Sequence, residues 1–107
     1  MADNEDSLKL GGEIELVGFK DVDPRSMIVL KKIIGNYVRR FNDHNVGFKA
    51  IKISLKVISK KEGHEQYEFK ATMGVEKKTL NAENDGRNLF VVCDSLLKKL
   101  EKEISKL

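Results

Sequence analysis

Residues 48–59 read FKAIKISLKVIS, and this stretch decides the fold. Apolar and polar residues alternate along it, and the apolar positions are Ile51, Ile53, Leu55 and Val57. A side-chain period of two is typical of a β-strand with one face in the core and the other in solvent. Lys52 and Lys56 stand on the polar side. The stretch therefore predicts a sheet that is covered on one face and open on the other.

Two further strands are predicted downstream. Gly63, in the segment KKEGH, favours a hairpin turn. The next run alternates again, and its apolar positions are Tyr67, Phe69, Ala71 and Met73. A tight turn at 76–78 then leads into a short strand around Leu80 and Ala82. These patterns predict three consecutive strands joined by short turns.

A strand and a helix are predicted upstream. The segment GGEIELVGF places Ile14 and Leu16 in alternation with glutamates, as in a half-buried strand. Asp23 followed by Pro24 is typical of a helix start, because Asp supplies an N-cap oxygen and proline loses nothing at the first helical position. The apolar period then becomes 3.6. The apolar face of this helix consists of Leu30, Ile33, Ile34, Tyr37, Val38 and Phe41.

A second helix is predicted from about Leu89 to the last residue. Its apolar stripe consists of Leu89, Cys93, Leu96, Leu97, Leu100, Ile104 and Leu107. The element order β-α-β-β-β-α predicts an α+β fold, a four-stranded sheet with two helices packed on one face, like the layout of double-stranded-RNA-binding domains. We assign residues 11–107 to this single domain and residues 1–10, which are rich in acids, to a disordered leader.

Composition narrows the function. No apolar run approaches the roughly 20 residues that span a bilayer, and the acidic start lacks the features of a signal peptide. We therefore expect a cytoplasmic protein that does not enter membranes. Cys93, His44 and His64 are too few and too scattered for a zinc site, and no nucleophile–base pair is evident. The sequence predicts no enzyme, no metal or other cofactor and no small-molecule substrate, with Cys93 as a buried small residue.

Basic residues are the main functional signal in a chain of net charge +3. They fall on the outer sides of the two predicted helices, at Lys31, Lys32, Arg39, Arg40, Lys98, Lys99, Lys102 and Lys106. If the helices lie side by side, these residues form one cationic surface suited to RNA phosphates. An ordinary solvent-facing helix surface is the alternative. A secondary basic surface is predicted on the open sheet face, at Lys52, Lys56 and Lys70.

The segment 81–104, NAENDGRNLFVVCDSLLKKLEKEI, resembles the ribosome hibernation-promoting factor family, also called ribosome-associated inhibitor A. In that family the last strand leads through an acidic and Gly-containing turn into a helix that opens with Asp, an apolar residue and an aromatic. Here Asn88 takes the Asp position, and Leu89 and Phe90 follow. Further matches in kind, without a gap, are Asp94, Leu96, Lys99, Leu100 and Lys106. The order of elements matches over residues 12–107.

The resemblance implies a protein that occupies the groove of the small ribosomal subunit used by messenger and transfer RNA. Such a protein contacts ribosomal RNA and inhibits translation sterically. Two alternatives stay open from the residues alone. One is a general structured-RNA-binding domain, which would bind isolated duplex RNA as well. The other is a homodimeric protein-interaction module that does not bind RNA.

Overall fold

The structure, a computed structural model, describes residues 7–10, 13–44, 47–61 and 64–107. Its elements in chain order are β1 (Ser7–Leu10), β2 (Ile14–Val17), α1 (Pro24–Asp43), β3 (Ala50–Lys61), β4 (His64–Val75), β5 (Lys78–Gly86) and α2 (Leu89–Ser105). The strands form one sheet in the order β1-β2-β3-β4-β5. Only β2 and β3 pair in parallel, because α1 carries the chain back between them; the other neighbours are antiparallel.

The prediction of a four-stranded sheet is wrong, because β1 adds a fifth strand. Ser7 lies opposite Val17 and Leu10 lies opposite Ile14, so β1 supplies ladder partners to β2, which would otherwise be the edge of the sheet. β1 therefore lies within residues 1–10, the segment assigned to the acidic leader. Residues 1–6 lie outside the described residues, as does the turn glycine Gly63, so the disorder of the leader stays a prediction.

The two helices begin differently. Pro24 is the first residue of α1, as predicted, but the carboxylate of Asp23 makes no capping hydrogen bond and only its backbone carbonyl accepts, from the N–H of Met27 at 2.9 Å. In α2 the side chain of Asn88 accepts hydrogen bonds from the N–H groups of Phe90 and Val91, at 3.0 and 3.1 Å. Asn88 thus satisfies two of the unpaired donors at its helix start, whereas Asp23 leaves its carboxylate available.

Both helices pack on one face of the sheet and run parallel to each other. Arg40 of α1 lies 3.3 Å from Glu101 of α2 (Nη1 to Oε1). Earlier in both helices, the Asp94 carboxylate of α2 lies close enough to Tyr37 of α1 to raise its pKa. Contacts in the same order along both helices mean that the helices run in the same direction. A single core lies between the helices and the sheet. Its fully buried side chains include Phe41, Phe69, Leu16, Leu30, Ile34, Ile51, Ile53, Met73, Leu96, Leu97 and Leu100.

The predicted apolar faces are confirmed except at their ends. Val57 is 37% exposed, although its position in the alternation directs it to the core side of the sheet. Leu107 is 54% exposed because it follows the last turn of α2. The strands β3 and β4 continue beyond the starts of both helices, so that helices no longer cover the core side of the sheet at Val57.

Gly18 connects β2 to the loop before α1 and is required by a close approach. Its φ is +85°, and a Cβ there would lie 2.2 Å from the backbone oxygen of Leu55. An L side chain is disfavoured by that φ and sterically excluded by the neighbouring strand. This glycine lets the chain leave β2 directly over β3, where Phe19 then packs edge-on against Phe69 at a centroid distance of 6.0 Å.

Candidate nucleic-acid interface

The outward side of the helix pair carries exposed cations. At about 100° per residue, Lys32 and Arg39 of α1 and Lys98 and Lys102 of α2 lie opposite the buried stripes of their helices. All eight basic residues predicted for the RNA surface are exposed. Arg25, also exposed, lies two turns before Lys32 on the same side of α1. Sequence reasoning missed it, although the same helical projection extended by two turns includes it.

The groove between the helices is acidic and partly neutralised. Glu101 of α2 accepts a hydrogen bond from Arg40 at 3.3 Å, and the His44 Nε2 lies 3.9 Å from its other oxygen. The Arg40 guanidinium also lies 4.6 Å from the centre of the Tyr37 ring. Arg40 therefore engages groups of its own protein, and a carboxylate separates the basic side of α1 from that of α2.

The hydroxyl of Tyr37 lies in the same groove. Burial raises its pKa above the ordinary value, and the nearby Asp94 carboxylate raises the pKa further, while Arg40 opposes them. The neutral phenol is thereby favoured at every physiological pH. Tyr37 is a packing residue of the helix pair with its polar tip in the groove.

Two of the predicted lysines on α2 have partners within the protein. The ammonium of Lys99 donates to the backbone carbonyl of Glu83 at 2.8 Å, at the free edge of β5. Lys106 lies 3.8 Å from the carboxylate of Glu103. Helical geometry turns both lysines toward the β5 side of the molecule, away from α1. Lys31 likewise lies on the flank of α1 that faces away from α2.

The structure therefore brings together a smaller set than the eight residues predicted. Lys32, Arg39, Lys98 and Lys102 share the outward side of the two helices, and among the described residues none of them makes an ion pair or a side-chain hydrogen bond. We call these four residues the helix-face cations. Two turns, or about 10 Å, separate the pair on α1, and roughly one turn, about 6 Å, separates the pair on α2.

The open face of the sheet is electrically balanced. The cross-strand register places Lys52 opposite Glu15, Lys56 opposite Glu68 and Lys70 opposite Glu83. Opposite charges at directly opposed positions stabilise a sheet and cancel each other's field. Although Lys52, Lys56 and Lys70 are exposed as expected, this face has no surplus of positive charge for phosphates.

The remaining candidate groups do not form a site within the described part of the chain. Cys93 is fully buried, and burial, with a smaller effect of Asp94, raises the pKa of its thiol to about 12. A buried neutral thiol is a poor nucleophile. In the described ranges no three His, Cys, Asp or Glu side chains are grouped as metal ligands would be. No helix among the described residues is long and apolar enough to cross a membrane.

Comparison with solved structures shows the fold. A ribosomal subunit interface protein from Coxiella burnetii superimposes with a TM-score of 0.62 at 18% identity, over 88% of this chain and 92% of that chain. The N-terminal domain of Protein Y from Thermus thermophilus gives a TM-score of 0.59 at 13% identity, over 71% of this chain and 79% of that chain. No protein-family model and no curated protein sequence matches the chain. The fold implied by the resemblance is confirmed; the likeness to double-stranded-RNA-binding domains stays a prediction.

Proposed function

We propose that this protein binds the small ribosomal subunit through the helix-face cations and inhibits translation by occupying the groove that messenger and transfer RNA use. The proposal is supported by a fold shared with a ribosomal subunit interface protein, at 18% identity. The observation that carries it is the set of four cations on one side of two parallel helices that make no ion pair or side-chain hydrogen bond within the described chain.

The array of charges suits phosphates better than bases. Parallel packed helices have axes about 8–10 Å apart, so the helix-face cations form two rows of positive charge on flexible side chains. Every aromatic residue lies within the described ranges, and each is buried or half-buried. The surface therefore offers no stacking platform for single-stranded bases. Recognition through phosphate position and RNA shape follows from this combination.

Inhibition in this proposal needs no chemistry. The protein acts by excluding other RNA from the site for as long as it stays bound. Its affinity then depends on counterion release from the RNA, and it falls steeply as salt rises.

Co-sedimentation with purified small ribosomal subunits at about 0.1 M and about 0.5 M salt tests the proposal, because screening over this range removes most phosphate contacts. We expect saturable binding at the lower salt, loss at the higher salt and competition by messenger RNA. Equal competition by an isolated RNA duplex would instead support a general structured-RNA-binding domain. Protein that stays in the supernatant at both salts would overturn the proposal.

A further inference from the structure

A cleft opens at the end of the molecule where both helices begin. It has a volume of about 490 Å³, within the range of about 300–1,000 Å³ typical of ligand sites. The β2–α1 loop, the first turn of α1, the middle of β3, the start of β4 and the start of α2 form its walls. We call it the end cleft. It lies away from the helix-face cations of α2, which begin about two turns into that helix.

The floor of the end cleft is apolar and incompletely covered. It includes Val22, Leu55, Val57 and Leu89. Leu55 is 7% exposed, whereas Val57, two residues further along β3, is 37% exposed. The difference arises because β3 extends past the first residues of the helices, so that no helix covers Val57. The end cleft is therefore the place where the hydrophobic core reaches the surface.

Additional exposed aliphatic residues surround this end of the protein. Ile28 and Val29 in the second turn of α1 are 60% and 41% exposed, and Val91 in the first turn of α2 is 58% exposed. Ile58, at the irregularity in the β3–β4 register between Val57 and Ser59, is 49% exposed. Five of the seven large apolar side chains that are exposed in the described chain thus lie toward this end, but of these only Val57 lines the end cleft. Val91, two turns before Lys98, lies on the outward side of α2, so the apolar contact surface of the end cleft is its own floor.

The rim of the end cleft is acidic. Asp21, Asp23 and Glu65 contribute carboxylates, and none of the described lining residues is Lys or Arg. The register places Lys60 opposite Glu65, whereas Asp21 and Asp23 lie in the loop before α1 and have no cross-strand partner. The carboxylate of Asp23 makes no capping hydrogen bond to α1. Glu65 accepts a hydrogen bond from the hydroxyl of Tyr67, which also lines the cleft. An acidic rim around an apolar floor repels phosphate and attracts cationic side chains.

We propose that the end cleft docks a basic segment of a partner protein, with one aliphatic side chain inserted against Val57 and Leu89 and flanking Lys or Arg residues on Asp21, Asp23 and Glu65. Charge complementarity selects this occupant over RNA, which the same rim repels. A symmetric contact between the end clefts of two copies of this chain is disfavoured, because each cleft presents the same acids. This inference is independent of ribosome binding, since none of its residues belongs to the helix-face cations.

The test is a titration of the ¹⁵N-labelled protein with the capped peptide KKILKK, followed by amide chemical shifts. KKSSKK keeps the charge without the aliphatic side chains, and EEILEE reverses the charge. We expect saturable shifts at Val22, Val57, Tyr67 and Leu89 with KKILKK and far weaker binding of both controls. Equal binding of KKSSKK, or shifts centred on the outward side of the helices, would overturn the proposal.

Paired charge-neutral variants then locate the contact. Asp21→Asn with Glu65→Gln removes two rim carboxylates, and we expect KKILKK to bind roughly threefold to tenfold more weakly, the effect of two exposed charge pairs. Glu68→Gln with Glu83→Gln removes two carboxylates from the open sheet face and should leave affinity within about twofold. Equal weakening by both pairs, saturation of these shifts by a short RNA, or self-association at the cleft without peptide would refute a protein-segment site.

Discussion

Neutralising two of the helix-face cations should flatten the salt dependence of ribosome binding. The perturbation is Lys98→Gln together with Lys102→Gln. Both residues are exposed, and neither makes an ion pair or a side-chain hydrogen bond within the described chain, so glutamine costs the fold little. We expect the thermal unfolding midpoint of this variant to stay close to that of the parent protein.

The magnitude follows from the number of cations removed. Each phosphate neutralised contributes about 0.7–0.9 to the slope of log affinity against log salt. If each lysine meets one phosphate, removing both lowers the slope by about 1.4–1.8. At about 0.1 M salt this difference corresponds to a loss of affinity of about 25- to 60-fold.

The assay is binding to purified small subunits at several salt concentrations between about 0.05 M and 0.3 M. The matched control is Lys52→Gln with Lys56→Gln, which makes the same change of charge on the open sheet face opposite Glu15 and Glu68. Its slope should stay within about 0.5 of the parent protein, since those lysines face carboxylates of their own sheet. Equal changes of slope in the two variants would refute the assignment of the interface to the helices.

Three predictions concern the fold. Gly18→Ala should lower the free energy of unfolding by about 2–5 kcal/mol, because the added Cβ would meet the Leu55 carbonyl at a positive φ. Gly35→Ala, where the added Cβ meets nothing within 4 Å on α1, should instead raise the free energy of unfolding by about 0.5–1 kcal/mol. Denaturant melts in which the two variants change stability alike would contradict this account. Asn88→Ala should lower the free energy of unfolding by about 1 kcal/mol, because the N-cap of α2 is lost. Asn88→Asp keeps a side-chain oxygen at the cap and should retain most of that stability. The raised pKa of Cys93, about 12 against 9.0, keeps the folded thiol neutral while the unfolded thiol ionises, so stability should fall between pH 9 and pH 10 by about 1 kcal/mol more than in Cys93→Ala. Identical pH profiles in urea melts would show that the thiol is not protected.

The long elements could be predicted from the sequence because their periodicity is repeated many times. β3, β4, α1 and α2 each span three or more turns or alternations, and the structure confirms their order and their buried faces. β1 has four residues, too few for a period to be distinguished from chance, and its pairing depends on β2. The exposure of Val57 could not be predicted from the alternation of apolar and polar residues either. Alternation indicates the side of the sheet on which a residue lies, but not how far the helices extend over that side.

The candidate site was predictable as a set of exposed cations but not as a surface. Helical projection places Lys98 and Lys102 outward, and the structure agrees. The partners of Lys99 and Arg40, the Glu83 carbonyl and the Glu101 carboxylate, come from other elements and leave no local trace in the sequence. For the same reason the end cleft had no sequence signal, because its acids come from the β2–α1 loop and from β4.

The parallel pairing of β2 with β3 has a consequence for the order in which the protein assembles. Residues 50–105 form hairpins and a helix whose contacts are near in sequence, and such contacts form quickly. β1, β2 and α1 are synthesised first, yet β1 pairs only with β2, and β2 joins the rest of the sheet only through β3, which follows the whole of α1 in the sequence. We therefore expect the C-terminal part to fold as a unit that the earlier part joins late, and amide protons of β1 and β2 to exchange before those of β4 in the finished protein.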